Sequence, residues 1–215
     1  MPFMDAGTGN QGGGEPLSGT KARIVEAAVE TLKAKGFAGA SAREIARTGE
    51  FNQALVFYHF GSVQNLLLAG LDAVSERRMR AYGPAFEHAG TVSELAALAR
   101  EIYDEDLENG YVTVLGEMVA GGVSDAALGR QVVARLEPWM EMVECKVDAL
   151  LAGSVFESMV PSRDLAYAII ALYLGIDMLS HLDGDHARAG SLLDLGVRAA
   201  PLVQTLLPSQ RMQKR

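Results

Sequence analysis

The sequence predicts an all-α protein: a small N-terminal head followed by a larger helical body. Three observations carry this reading. Apolar residues recur at three- and four-residue spacing from Thr20 almost to Leu207. No segment alternates apolar and polar residues as a strand would. Ser, Thr, Asn and Gly fall where helices start and stop. The 215 residues are 49% hydrophobic and 21% charged, which provides apolar mass for a sizeable core.

The first nineteen residues, MPFMDAGTGNQGGGEPLSG, are Gly-rich with few large apolar groups and read as a disordered tail. They have neither the basic start nor the apolar run of a signal peptide. The head spans 20–64. Its first helix sets Ile24, Ala27, Ala28, Thr31 and Leu32 on one face and ends at Gly36, with Phe37 as a plug. Ser41 caps a short second helix carrying Ile45 and Ala46, with Glu44 placed for a capping box, and Gly49 stops it. Asn52 caps a third helix, FNQALVFYHF, of about one and a half turns. A fourth starts at Gly61 and Ser62, buries Leu66, Leu67, Leu71 and Val74, and should end at Gly83 and Pro84.

The body, 65–208, repeats this grammar. Thr91 and Glu94 form a capping box ahead of Leu95, Leu98, Ala99, Ile102 and Tyr103, and Asn109–Gly110 closes that helix. Tyr111 to Ala120 is a short helix or its resumption, broken at Gly121–Gly122. Ser124 caps a segment to about Leu151, in which Pro138 makes a kink or a new start. Ser162 caps an apolar helix to about Leu182. After Asp183–Gly184–Asp185 a last helix runs to Leu207, and 209–215 form a C-terminal tail. No run of about 18 purely apolar residues is present, so no membrane partner is expected. The single cysteine, Cys145, precludes a disulfide framework within the chain, which suits a cytoplasmic location.

Net charge is −8 and unevenly spread. Between Leu17 and Gln64 six basic residues meet four acids, and from Asn65 onward 13 meet 21, so a slightly basic head precedes an acidic body. The second and third helices, joined by a tight turn at Gly49, have helix-turn-helix spacing. Wound at 100° per residue, Gln53, Ala54, Phe57 and Tyr58 share a sector of about 140°, while Val56, with Leu55, anchors the opposite side. An amide, a methyl and two rings suit a major groove: Gln can bond an adenine edge, and Ala or a ring edge can meet a thymine methyl. Tyr58, His59 and the helix N-terminal amides can reach phosphates.

The segment GFAGASAREIARTGEFNQALVFYHFGSVQNLL resembles the DNA-binding segment of the TetR family of bacterial transcriptional regulators. The marks are the glycine-aromatic pair after the first helix, Ser-x-x-Glu-Ile-Ala in the second and Tyr-His-Phe-Gly-Ser closing the third. The resemblance implies double-stranded DNA as partner. It places Ser41, Ala42 and Arg43 at the backbone-contacting start of the second helix, and Asn52, Gln53, Ala54, Phe57, Tyr58 and His59 on the recognition helix. It further implies a homodimer through the last two helices, a palindromic operator, a small-molecule effector and, as the family's usual role, repression. Two positions depart from the pattern. Glu50 stands where a turn glycine is usual, unless Gly49 takes over that role, and Val63 stands where a phosphate-binding Lys is usual, so the phosphate grip is weakened by about one contact.

Tyr103, Met118, Trp139, Met142, Phe156 and Tyr173 can line an apolar effector cavity or serve as plain core. Asp177 lies in an apolar run and needs a partner: a ligand cation, an Arg across a dimer, or His181 one turn on. Leu172, Ile176, Leu179 and Leu182 line one of the last two helices, and Leu192, Leu195, Ala199, Leu202 and Leu206 the other. They pack within one subunit or across a two-fold axis. Catalysis, a metal and a cofactor are not expected. There are no Glu-x-x-His pairs for a di-metal bundle, His59, His88, His181 and His186 do not cluster with acids apart from Asp177/His181, and no phosphate loop follows a strand. The alternatives are a helical adaptor whose head binds protein instead of DNA, or a helical-bundle enzyme.

Overall fold

The computed structural model describes residues 19–207. The tails expected at 1–19 and 209–215 lie outside the described residues, save Gly19. Ten helices and no strand occur among the described residues: α1 Thr20–Gly39, α2 Ala42–Thr48, α3 Ala54–Phe60, α4 Val63–His88, α5 Val92–Asn109, α6 Tyr111–Ser124, α7 Ala126–Ala134, α8 Glu137–Leu151, α9 Ser162–Asp183 and α10 His186–Thr205.

In the head, α1 buries Ile24, Val25, Ala28 and Leu32 against Ile45 of α2, Val56 of α3 and Leu66, Leu67 and Leu71 of α4. The same core continues into Val114, Leu115 and Met118 of α6 and Leu128 and Val132 of α7. The division placed at 64–65 therefore falls on the first turn of α4, inside one continuous core. Head and body are clamped at Gly36, where φ of 69° breaks α1. The freed Phe37 backbone N–H donates to Glu117 Oε2 at 2.7 Å. The Phe37 ring fills the space a Cβ on Gly121 would need, with ring carbons 2.8 Å away.

That contact explains one departure from the sequence reading. Gly121–Gly122 does not break α6. Gly121 admits Phe37, and Gly122 lets α6 approach the backbone of Gly129 in α7, so the pair serves close packing. Pro84 does not end α4 either. The helix runs to His88 because Tyr82 and Phe86 pack beside Trp139, and Lys146 Nζ caps the far end on the carbonyls of Glu87 (2.7 Å) and Ala89 (3.1 Å). Burial outweighs the one hydrogen bond that Pro84 removes. Asp125, not Ser124, caps the next segment, accepting from Ala127 and Leu128, and Pro138 lies in the first turn of a separate helix, α8. Ser162 begins α9 without a side-chain cap. At α2 only half of the expected capping box forms: Ser41 accepts from the Glu44 N–H, but the Glu44 carboxylate turns to Lys35 and Arg47. Those two hydrogen bonds, Lys35 first, hold its pKa below the usual range. The box at Thr91–Glu94 forms in full.

In the body α5 packs with α10, α8 with α9, and α6 with both α7 and α9. Among the residues of α9 whose burial is described, Ala166, Asp177 and Ser180 are fully buried. It is also the one described helix whose length and mean hydropathy, 1.6 over Ser162–Leu182, would allow a membrane crossing by composition. Asp177, Ser180 and His181 interrupt its apolar run, which is why a purely apolar stretch was not found.

Candidate functional site

Two surfaces stand out, one at each end of α4. The first is α3. Val56 is wholly buried and pins the helix, while Phe57 and Tyr58 are 52% and 82% exposed. Asn52, Gln53 and Ala54 are exposed as well. Asn52 Oδ1 accepts from the Ala54 N–H at 2.9 Å, and its carbonyl accepts from Leu55, so it closes the first turn one residue ahead of the regular helix. His59 is half-buried, with its ring edge-on to Tyr58 at 4.8 Å. Phe57 and Tyr58 therefore project unsupported by other elements, which for a short helix is the geometry of a probe.

Beside α3 lies an open cleft lined by Arg43, Ala46, Arg47, Glu50, Phe51, Asn52 and Gln53. Ser41 and Arg43 are exposed, and among the described residues Arg43 makes no ion pair. Ala42 is half-buried against the head core, so its methyl contributes packing. Arg47 was not singled out from sequence, although it stands four residues after Arg43 on the same face of α2. Glu50, not Gly49, takes the turn, with φ of 52° against −92° at Gly49. Gly49 is needed for a different reason: a Cβ there would meet the Phe51 ring at 2.3 Å and Ala27 Cβ at 2.7 Å. Arg23 steadies this turn by donating to the Glu50 carbonyl at 3.2 Å while lying over the Phe51 ring. Val63 packs against the head core.

The second surface is a cavity of about 600 Å³ in the body. Of the expected lining residues it brings together Trp139, Met142, Phe156 and Tyr173. Tyr103, Met118 and Asp177 do not line it. Met118 is fully buried in the core shared by head and body. Tyr103 turns to Ser180, with its hydroxyl 3.0 Å from Ser180 Oγ. Asp177, 2% exposed, has Oδ1 without any hydrogen-bond partner. His181 does not pair with it but faces Glu117 at 3.7 Å.

At one end of the cavity sits a buried polar cluster that the sequence reading missed. Arg78 of α4 pairs with Asp106 of α5, Tyr173 of α9 donates to the same Asp106 oxygen at 2.9 Å, and the Arg78 guanidinium stacks 4.7 Å from the Trp139 ring centroid. Trp139 Nε1 donates to Ser75 at 2.8 Å. Burial raises the Asp106 pKa against the opposing pull of Arg78 and Tyr173. Burial, then repulsion from Asp106, pushes Asp177 up to about 7. The Tyr173 hydroxyl is also pushed up, chiefly by burial. Arg78 thus hydrogen-bonds Asp106 alone and acts on Asp177 only through its charge. The signal was present in sequence: Arg78 continues the buried Leu71–Val74 face of α4, and Asp106 the Leu98–Ile102 face of α5. Among the described residues no group of His, Cys, Asp or Glu could hold a metal.

Residues 24–69, which span most of the head's core and its turn, match the family model described as bacterial regulatory proteins, tetR family. Over these residues the chain belongs to the TetR family. It is 29% identical over 143 residues to the HTH-type transcriptional regulatory protein RaaS of Mycobacterium tuberculosis, a match covering 66% of this chain and 61% of that relative's length. In fold it is similar to the fatty acid degradation regulator FadR of Bacillus halodurans (TM-score 0.70, 14% identity, 83% of this chain and 96% of that one). It is also similar to FadR of Bacillus subtilis, solved in complex with stearoyl-CoA (TM-score 0.66, 12% identity, 83% and 96%). At these identities the two structures speak to the fold alone. The match at 24–69 identifies the head as a TetR-type DNA-binding domain, with α2 and α3 as its helix-turn-helix.

Proposed function

We propose that the chain is a homodimeric, ligand-responsive repressor that reads a palindromic operator. The observation that supports DNA reading is the outward rank of Gln53, Ala54, Phe57 and Tyr58 on a helix anchored by Val56, flanked by the unpaired Arg43. In this reading the rank enters the major groove, and Ser41, Arg43, Tyr58 and His59 contact phosphates, which sets register without reading sequence.

Dimerisation is supported by the face that α9 and α10 present. Leu172, Leu179 and Leu182 stand beside Leu192, Leu195, Leu202 and Leu206, all substantially exposed in the single chain. Gly175 and Gly196 have open space where a side chain would be, so a second pair of helices can approach closely. A four-helix contact about a two-fold axis buries this face and places two heads on one duplex, with half-sites one helical turn, about 34 Å, apart. Asp177 and Ser180 are buried on the other side of α9, which favours a protein partner for the apolar face over lipid.

The effector reading rests on the cavity and on α4. That helix begins just after the recognition helix and carries both Arg78 and Phe86 into the cavity wall. A ligand that binds better when α4 is displaced lowers operator affinity by that difference in affinity, and by no more. The stearoyl-CoA held by FadR of Bacillus subtilis fits an effector with a large apolar part.

Selection of bound fragments from genomic DNA with the purified chain tests the reading. The expected result is a palindrome bound with strong salt dependence. Gln53→Ala should relax base preference at one position of each half-site, at a cost of about 1–3 kcal/mol. Recovery of no preferred sequence, or binding unaffected by salt, would refute it.

A further inference from the structure

The effector cavity is hydrocarbon except at a few atoms, and those atoms are of one kind. Its two charged lining residues are Arg78 and Lys146, and no Asp or Glu lines it. Lys146 is occupied at the far end of α4, on the carbonyls of Glu87 and Ala89. The Tyr173 hydroxyl and the Trp139 indole N–H are occupied too, on Asp106 and Ser75. Arg78 is not satisfied. Its guanidinium carries five N–H donors, its hydrogen bond runs from Nη2 to Asp106, and Nε is buried with no partner. Stacking on Trp139 fixes the plane of the fork. A planar guanidinium short of acceptors in an apolar wall is the binding half of a carboxylate pair.

We propose that the cavity takes a single-chain fatty acid as its free carboxylate, with the head on Arg78 and the tail running along α5. This rests on the effector reading and specifies its ligand. The tail length follows from the wall. Val92 and Ile102 both line the cavity and lie ten residues apart on one helix, a span of about 15 Å at 1.5 Å per residue. That suits a chain of about a dozen carbons, since each C–C bond of about 1.5 Å advances an extended zigzag by about 1.25 Å. The Arg78 end of the cavity is walled by the buried Ile102 and Trp139. Asp106, which shares Arg78, and Asp177 are the acids that would oppose a second carboxylate; neither lines the cavity, and burial disfavours the ionised form of both.

Trp139, the only tryptophan in the chain, stacks on Arg78 and reports the site directly. Its fluorescence is titrated in the full-length protein with dodecanoate, dodecanol, dodecylamine and dodecanoyl-coenzyme A, and release of a selected DNA fragment is followed in parallel. Dodecanoate is expected to bind at least tenfold more tightly than dodecanol, and dodecylamine more weakly than either. In Arg78→Met the acid should bind no better than the alcohol. Should that variant not fold, the ligand series on the unaltered protein decides alone. Equal binding of acid and alcohol, or tighter binding of the amine or the thioester, overturns the carboxylate proposal while leaving an effector cavity standing. No response to any of the four, in fluorescence or in DNA release, overturns both.

Discussion

Asp177→Asn should make the protein more stable at pH 8 than at pH 4, relative to the unaltered chain. The carboxyl is 2% exposed, with Oδ1 unpartnered. Its charged neighbours are Asp106 of α5, which raises its pKa, and Arg78 of α4, which lowers it. Tyr173 precedes it by one turn of α9, and Ser180 nearby is held by Tyr103 and contacted by His186. The carboxyl is pushed from 3.8 to about 7 in the folded chain. A raised folded-state pKa means the native state holds the proton longer than the unfolded state does. Stability from this group is therefore undiminished below about pH 4, falls as pH rises toward 7, and stays low above it. A shift of about three units at 1.36 kcal/mol each comes to about 4 kcal/mol. Asn resembles the protonated acid and does not ionise, so the variant escapes that loss. Urea unfolding of both proteins at one protein concentration, across pH 4 to 8, measures it. The stability difference should grow by about 4 kcal/mol toward pH 8 and level off there. A difference that does not change with pH would refute the reasoning, because it would mean the ionised carboxylate has a partner.

Four further outcomes follow from named contacts. Glu50→Gly relieves a left-handed turn residue, a strain of about 1–2 kcal/mol, partly offset by chain entropy; the thermal midpoint should rise by about 2 °C, and DNA affinity should increase as an acid leaves the cleft. Gly121→Val drives a side chain into the Phe37 ring and should cost about 1–3 kcal/mol in chemical unfolding. Arg43→Ala should reduce the slope of log affinity against log salt by about one unit if it holds one phosphate. Leu172→Asp combined with Leu202→Asp should yield a folded monomer in sedimentation, with operator binding lost because one head alone grips too weakly.

How far the sequence could be read depended on whether the deciding contact was local. The outward rank on α3 was legible because the helix is short and Val56 is its one buried anchor, so winding alone fixes which side is free. The Thr91–Glu94 box was legible for the same reason. Gly83–Pro84 and Gly121–Gly122 were misread as stops because what sustains those helices lies elsewhere in the chain: Trp139 and Lys146 for α4, Phe37 and Gly129 for α6 and α7. At the cavity, sequence supplied residue types but not the depth of each. Trp139, Met142, Phe156 and Tyr173 reach it, whereas Met118 and Tyr103 stop in the core because α6 and α5 turn those positions toward the head and Ser180. Asp177 was visible as an acid out of place. Its relation to Arg78 and Asp106 was not, since it joins three helices whose mutual rotation no local pattern sets.

The central claim, that α3 of two subunits reads successive turns of one duplex, is tested most directly by hydroxyl-radical footprinting on a fragment the protein selects, with the unaltered chain and with Gln53→Ala. Two protected patches on one face of the helix, one turn apart, with weakened protection of both in the variant, are the predicted result. A single patch, or protection that Gln53→Ala leaves untouched along with every base preference beneath it, would contradict the claim.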